Sequence, residues 1–202
     1  MIARIVFKIR ERWFNLLAAA ALAPWLIVQA LGAAPSPAPA PTSTPAPTVC
    51  LASGDGYLRA HLAGAIDADV DWPNSGTHCE GESRRTPQGV RLSFSRTGGS
   101  NPDLLFVFGI TGVREGEAAH ALGVNMTIFV QGSSDVYATQ GDARCAIDSL
   151  TQHQLEPAGT YRVEARGFCT QPAHAVRGSG LLLVSRFDFA GTVSYARDDD
   201  AK

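Results

Sequence analysis

The chain has 202 residues, of which 45% are hydrophobic and 18% charged, and its net charge at pH 7 is −2. Once a terminal leader is set aside, that length holds one domain with a real core and is too short for two comfortable ones. The leader carries four basic residues and one acidic residue, so the remainder carries −5, which disfavours a nucleic-acid partner because phosphate binding needs a basic face.

Residues 1–12 are the basic leader, with Arg4, Lys8, Arg10 and Arg12 set against Glu11. Residues 13–34 are apolar apart from Asn15 and Gln29, long enough to cross a hydrocarbon core of about 30 Å. An ordinary signal peptide has a shorter apolar centre, roughly 7 to 15 residues, followed by a small-residue cleavage site, which Ala30-Leu31-Gly32 could supply. The expectation is a cleaved signal or an uncleaved transmembrane anchor. In both cases the Lys/Arg-rich end stays in the cytoplasm and the rest is delivered to the periplasmic side of a bacterial inner membrane, either tethered or released. The membrane is then an expected partner, through residues 13–34 if they are retained, and the identity of a protein or small-molecule partner is left open. Residues 35–48 are a Pro/Ala tract, which favours polyproline II and could space a domain up to roughly 50 Å from a membrane. Pro47, Thr48 and Val49 precede Cys50 and lack the small residue expected before a lipid-modified cysteine.

Residues 49–197 are expected to form the folded domain, and 198–202 an acidic tail. Four cysteines, Cys50, Cys79, Cys145 and Cys169, all lie in this exported part, an even number in a compartment that oxidises thiols. The favoured pairing joins Cys50 with Cys79 and Cys145 with Cys169, each pair close in sequence and the second closing a hairpin. Zinc is the competing use, but no spacing is C-x-x-C. No cofactor is expected.

Beyond Cys50 the dominant period is two, the signature of strands. Leu58, Ala60, Leu62, Gly64, Ile66, Ala68, Val70 and Trp72 form one face of a single long strand, or of two joined by a bend near Gly64. Val90, Leu92 and Phe94 repeat the pattern. The unbroken apolar run Leu104 to Ile110 suits a strand buried on both faces. Strands are also expected at 124–130, 136–139, 144–150, 160–169 and 181–195, about eight in all. Turn signals such as Pro73-Asn74-Ser75-Gly76 and Glu156-Pro157-Ala158-Gly159 separate them. Only residues 115–122 hint at helix. Many short strands with glycine-rich turns argue for an antiparallel β-sandwich, with a lipocalin-like barrel as the alternative. Pairing Cys145 with Cys169 sets Ile147 opposite Gly167.

Two C-terminal segments, Tyr161 to Cys169 and Val184 to Gly191, end in an aromatic-x-aromatic-x-Gly strand of Phe187, Phe189 and Gly191. In these, the last third of the chain resembles small secreted β-sandwich proteins of bacteria without an assigned activity. The resemblance implies a fold and supplies no catalytic residue.

Asp67, Asp69 and Asp71 are the sharpest chemical feature. On one strand face their carboxylates would stand about 6.6 to 7 Å apart, too far for one calcium ion unless the chain bends, so a solvated acidic face competes with a weak divalent site. Arg162, Glu164 and Arg166 share a face, as do Arg186 and Asp188. They suggest a cross-strand charge ladder if the strands pair, or an arginine-lined anion pocket if they point inward. Glu80, Glu82, Glu164 and Asp188 are acid/base candidates by type alone. The histidines show no HExxH spacing and the serines no G-x-S-x-G elbow. The expectation is a non-catalytic binding or envelope-interaction module. The alternatives are an exported hydrolase with carboxylates from separate strands, and a barrel holding a small apolar ligand near Trp72.

Overall fold

The computed structural model describes residues 49–196 apart from 86–87, 97 and 99–102. The leader, the apolar segment 13–34, the linker and the acidic tail therefore lie outside the described residues, as does any membrane span they contain. No described helix is long and apolar enough to cross a membrane.

The described residues form eleven strands: β1 (Tyr57–Gly64), β2 (Ala68–Pro73), β3 (Thr77–Arg84), β4 (Gly89–Arg96), β5 (Leu104–Thr111), β6 (Leu122–Val130), β7 (Val136–Ala138), β8 (Cys145–Leu155), β9 (Thr160–Cys169), β10 (Ala173–Ala175) and β11 (Leu181–Ser194). Strands β3, β4, β5, β6, β8, β9 and β11 pair in that order. The ring closes where Ser194 of β11 meets Glu82 of β3 in parallel, giving a seven-strand barrel. The β1–β2 hairpin extends one edge of β11, and β7 and β10 form a second route between β6 and β11. The expected all-β class is present, but the sheet closes on itself in place of the two separate sheets of a sandwich.

Several local expectations change for identifiable reasons. Of the two readings of the first apolar face, the pair of strands joined by a bend near Gly64 holds: β1 and β2 form a hairpin, and the φ of 113° at Gly64 suits glycine. The apolar face survives the reversal because Leu58 lies opposite Trp72 and Ala60 opposite Val70. Strand β5 is buried on one face only, through Leu104, Phe106, Phe108 and Ile110. The sequence pattern misses β3 because its inward positions, Thr77, Cys79, Gly81 and Ser83, are small and mostly polar. Gly81 is required there: a Cβ would sit 2.8 Å from a Val193 methyl of the crossing β11.

Residues 115–121 contain no helix. With Val113 they form the loop between β5 and β6, held against β8. Val113 is buried, Ala119 exchanges backbone hydrogen bonds with Leu150, and Gln152 Nε2 donates to the carbonyls of Arg114 (2.7 Å) and Glu117 (2.8 Å). The other end of the Gln152 amide accepts a hydrogen bond from Tyr195 Oη at 2.7 Å. Burial pushes the Tyr195 phenol up to about 12, although the bond to Gln152 works the other way. A folded-state value above the ordinary 10 means that the neutral phenol's contribution is fully present below pH 10 and is lost as pH rises through about 12. Phenolate absorbance should therefore lose its highest-pH part in Tyr195→Phe, while Tyr57 and Tyr161, whose phenols burial also pushes up, still titrate. A high-pH end of the titration unchanged by that substitution contradicts the assignment.

The barrel interior is filled rather than hollow. Phe94, Phe106, Phe108, Phe187 and Phe189 are almost fully buried, with Phe108 centred 4.9 Å from Phe189, 5.3 Å from Phe187 and 6.0 Å from Phe94. Trp72 packs edge-on against Phe106 at 5.5 Å. Asn74, also buried, holds the entry to β1: its Oδ1 accepts from the amides of Leu51 (2.8 Å) and Gly56 (3.0 Å), and its Nδ2 donates to Leu51 O (3.0 Å).

All four cysteines are paired as expected, Cys50 with Cys79 and Cys145 with Cys169. Ile147 does lie opposite Gly167. Two disulfides with no free thiol are the chemistry of an oxidising, extracytoplasmic compartment.

Candidate functional site: a polar concavity on the barrel wall

The outward face of β2, β1, β11, β9 and β8 is built in rows. Antiparallel register places Asp71, Arg59, Asp188, Arg166 and Ser149 side by side across the five strands. In the next row Asp69, His61 and Arg186 are neighbours. Opposite charges therefore alternate along the first row, the arrangement that stabilises cross-strand pairs by a few tenths of a kcal/mol each. Arg59 bridges Asp71 (3.2 Å) and Asp188 (3.5 Å) and stacks over the Tyr57 ring at 4.7 Å. His61 Nδ1 lies 2.7 Å from Asp69.

Two register slips disturb this regular surface. In β8 the pairing jumps from Ile147 to Ser149, leaving Asp148 as an extra residue. In β11 it jumps from Val184 to Arg186, leaving Ser185. A β-bulge bends its strand and re-aims the side chains beside it. The β8 bulge faces Arg166 and Gly167, and the β11 bulge, a slip against β1, lies just before Phe187, the partner of Gly167. Gly167 itself has no room for a side chain, since a Cβ would lie 2.7 Å from Phe187 Cζ.

At this place the wall holds a concavity of about 540 Å³ lined by Tyr57, Asp148, Ser149, Thr151, Glu164, Arg166, Arg186 and Asp188, among others. A second, of about 390 Å³, continues it over β1 and β2 and shares Arg186 and Asp188. Arg162, beneath the rim, is held by Asp55 and Glu164, each at 2.8 Å, and its side chain is only 15% exposed. Its Nε meets Asp55 off the N–H axis, as an ion pair without a hydrogen bond. The Ser53 hydroxyl and, more weakly, Arg162 hold the Asp55 carboxyl below its ordinary range, against the opposing effect of burial. Burial and then the charge of Glu164 push the Tyr57 phenol up.

Two of the carboxylates in the concavity thus have partners: Glu164 has Arg162 and Asp188 has Arg59. Arg166 and Arg186 have no carboxylate within ion-pair distance among the described residues, and both are exposed. The expected ladder between β9 and β11 is present in register, with Arg166 opposite Asp188, but Asp188 turns to Arg59 instead. These arginines point outward, so an arginine-lined pocket inside the barrel does not form.

Asp67, Asp69 and Asp71 are not brought together. Asp67 accepts from the Gly64 amide (3.0 Å) at the hairpin bend, while Asp69 and Asp71 are taken by His61 and Arg59. Among the described residues no group of three or more His, Cys, Asp or Glu side chains could hold a metal ion. Glu80 and Glu82 line a smaller concavity of about 230 Å³ with Arg91 and Ser93, on the part of the wall formed by β3 and β4. Glu164 and Asp188, set apart in sequence, meet at the larger one.

No family model, curated protein or solved structure matches the chain. The fold and this surface define an all-β, disulfide-linked barrel with a polar recess on its wall.

Proposed function

We propose that the protein is an exported, non-catalytic binding module that takes its ligand on the outer wall of the barrel. The observation that carries this reading is the concavity beside two bulges, with Arg166 and Arg186 unpartnered among the described residues, set on a barrel whose centre is packed with phenylalanine. A ligand inside the barrel would have to displace those side chains, whereas the wall offers polar groups already in place. The two disulfides and the apolar segment 13–34 support work on the far side of a membrane.

A second reading is favoured by Glu164, Asp188 and Asp148 converging on the same recess from three strands, as a hydrolase assembled from separate carboxylates would require. Arginines already engage the first two, which favours binding over turnover.

The test is thermal melting of the purified full-length protein with soluble fragments of cell envelope, since a ligand bound only by the folded state raises Tm. The expected result is a rise that the Arg166→Gln/Arg186→Gln double variant loses, with the fragments recovered intact. No rise with any fraction overturns the binding reading. Fragments recovered cleaved by the protein but not by its Glu164→Gln variant replace it with the hydrolase.

A further inference from the structure

Resting on that reading, the structure assigns the recess a ligand class: we infer that it binds an acidic saccharide, with a sugar carboxylate held between Arg166 and Arg186 and the neighbouring hydroxyls held by Asp148, Glu164, Ser149 and Thr151. Arg166 and Arg186 are diagonal neighbours on adjacent antiparallel strands, a relation that places side chains about 7 to 8 Å apart at the backbone and within reach of one another at their ends. Two guanidiniums that approach one planar oxyanion from different sides can each supply paired N–H donors.

The groups around them narrow the choice of anion. Asp148, Glu164 and Asp188 line the same recess. A multiply charged phosphate or sulfate would meet their repulsion, whereas a single carboxylate gains the arginines at smaller electrostatic cost. Those carboxylates, together with the hydroxyls of Ser149, Thr151 and Tyr57, are in turn acceptors and partners for a ligand rich in O–H groups. The recess is open and shallow and continues over β1 and β2 past Arg59 and Asp71, a shape for an extended chain lying across strands rather than for an enclosed small molecule. Bulges on β8 and β11 lie beside the recess. With Asp188 engaged by Arg59, Arg166 and Arg186 face the depression.

Calorimetric titration of the full-length protein with a short uronic-acid oligomer, a neutral oligosaccharide of the same length, and inorganic phosphate tests this. The uronate is expected to bind, with the neutral sugar and phosphate at least tenfold weaker. Arg166→Gln and Arg186→Gln should each weaken uronate binding about tenfold with Tm unchanged. Arg186→Lys should recover only part of the loss, because lysine keeps the charge but not the fork. Equal affinity for the neutral sugar, tighter binding of phosphate, or uronate binding unaffected by both arginine variants overturns the inference. If the uronate fails while an envelope fraction still raises Tm in an arginine-dependent way, the saccharide class is wrong and the binding reading stands. If no fraction does so, both fall.

Discussion

Replacing both disulfides, as Cys50→Ser/Cys79→Ser and Cys145→Ser/Cys169→Ser combined, should cost about 3 kcal/mol per bridge and leave the protein largely unfolded at physiological temperature. The bridges join residues 29 and 24 apart, and loops of that size carry about this much closure entropy in the unfolded chain. The first bridge has a local role as well. Along one edge of β11 the partner changes from β1, last paired at Tyr57 and Ala190, to β3, paired at Ser194 and Glu82. Cys50 and Cys79 span that change of partner, and Cys79 Sγ lies 3.7 Å from where a Gly191 side chain would begin. Denaturant unfolding with and without reductant measures the effect. An unchanged midpoint after full reduction would show that the core alone holds the barrel.

The second large effect is expected from Phe108→Ala, at about 3 to 5 kcal/mol. Phe108 is fully buried and touches rings from three strands: Phe94 on β4, Phe106 on its own strand β5, and Phe187 and Phe189 on β11. Removing it strips both halves of the barrel of their shared contact and leaves a cavity that the closed ring resists collapsing. Edge-to-face and offset ring pairs add to the area term. Guanidinium midpoints for Phe108→Ala and Phe108→Leu should separate clearly, with leucine recovering much of the loss. A drop below 1 kcal/mol for the alanine variant would mean the rings repack.

Strands with one large apolar face were legible in the sequence, and β9 falls within the range its alternation marks, Thr160–Cys169. The short β10 carries too few residues to show a period, and β3 faces the interior with Thr77, Cys79, Gly81 and Ser83. Periodicity does not distinguish a sandwich from a barrel, because closure rests on single pairings such as Ser194 with Glu82. The recess was half legible. Arg162, Glu164, Arg166, Arg186 and Asp188 stood out as charged faces, but their meeting place depends on two phase slips. These are written in the sequence: the inward series runs Cys145, Ile147 and then Leu150, and again Leu182, Val184 and then Phe187, Phe189. An odd-to-even change inside a strand was the available signal. The acidic triplet forms no cluster, because the hairpin bend takes Asp67 while His61 and Arg59 lie against Asp69 and Asp71.

The last strand has a consequence for how the molecule assembles. β11 pairs with β1, β3, β9 and β10, so the first hairpin made has no lasting neighbour until the final segment arrives. Contacts of such long sequence separation are slow to form and leave open edges meanwhile. A version stopped before residue 181 would present one edge of β1 and one of β9 to its neighbours without the strand that covers both.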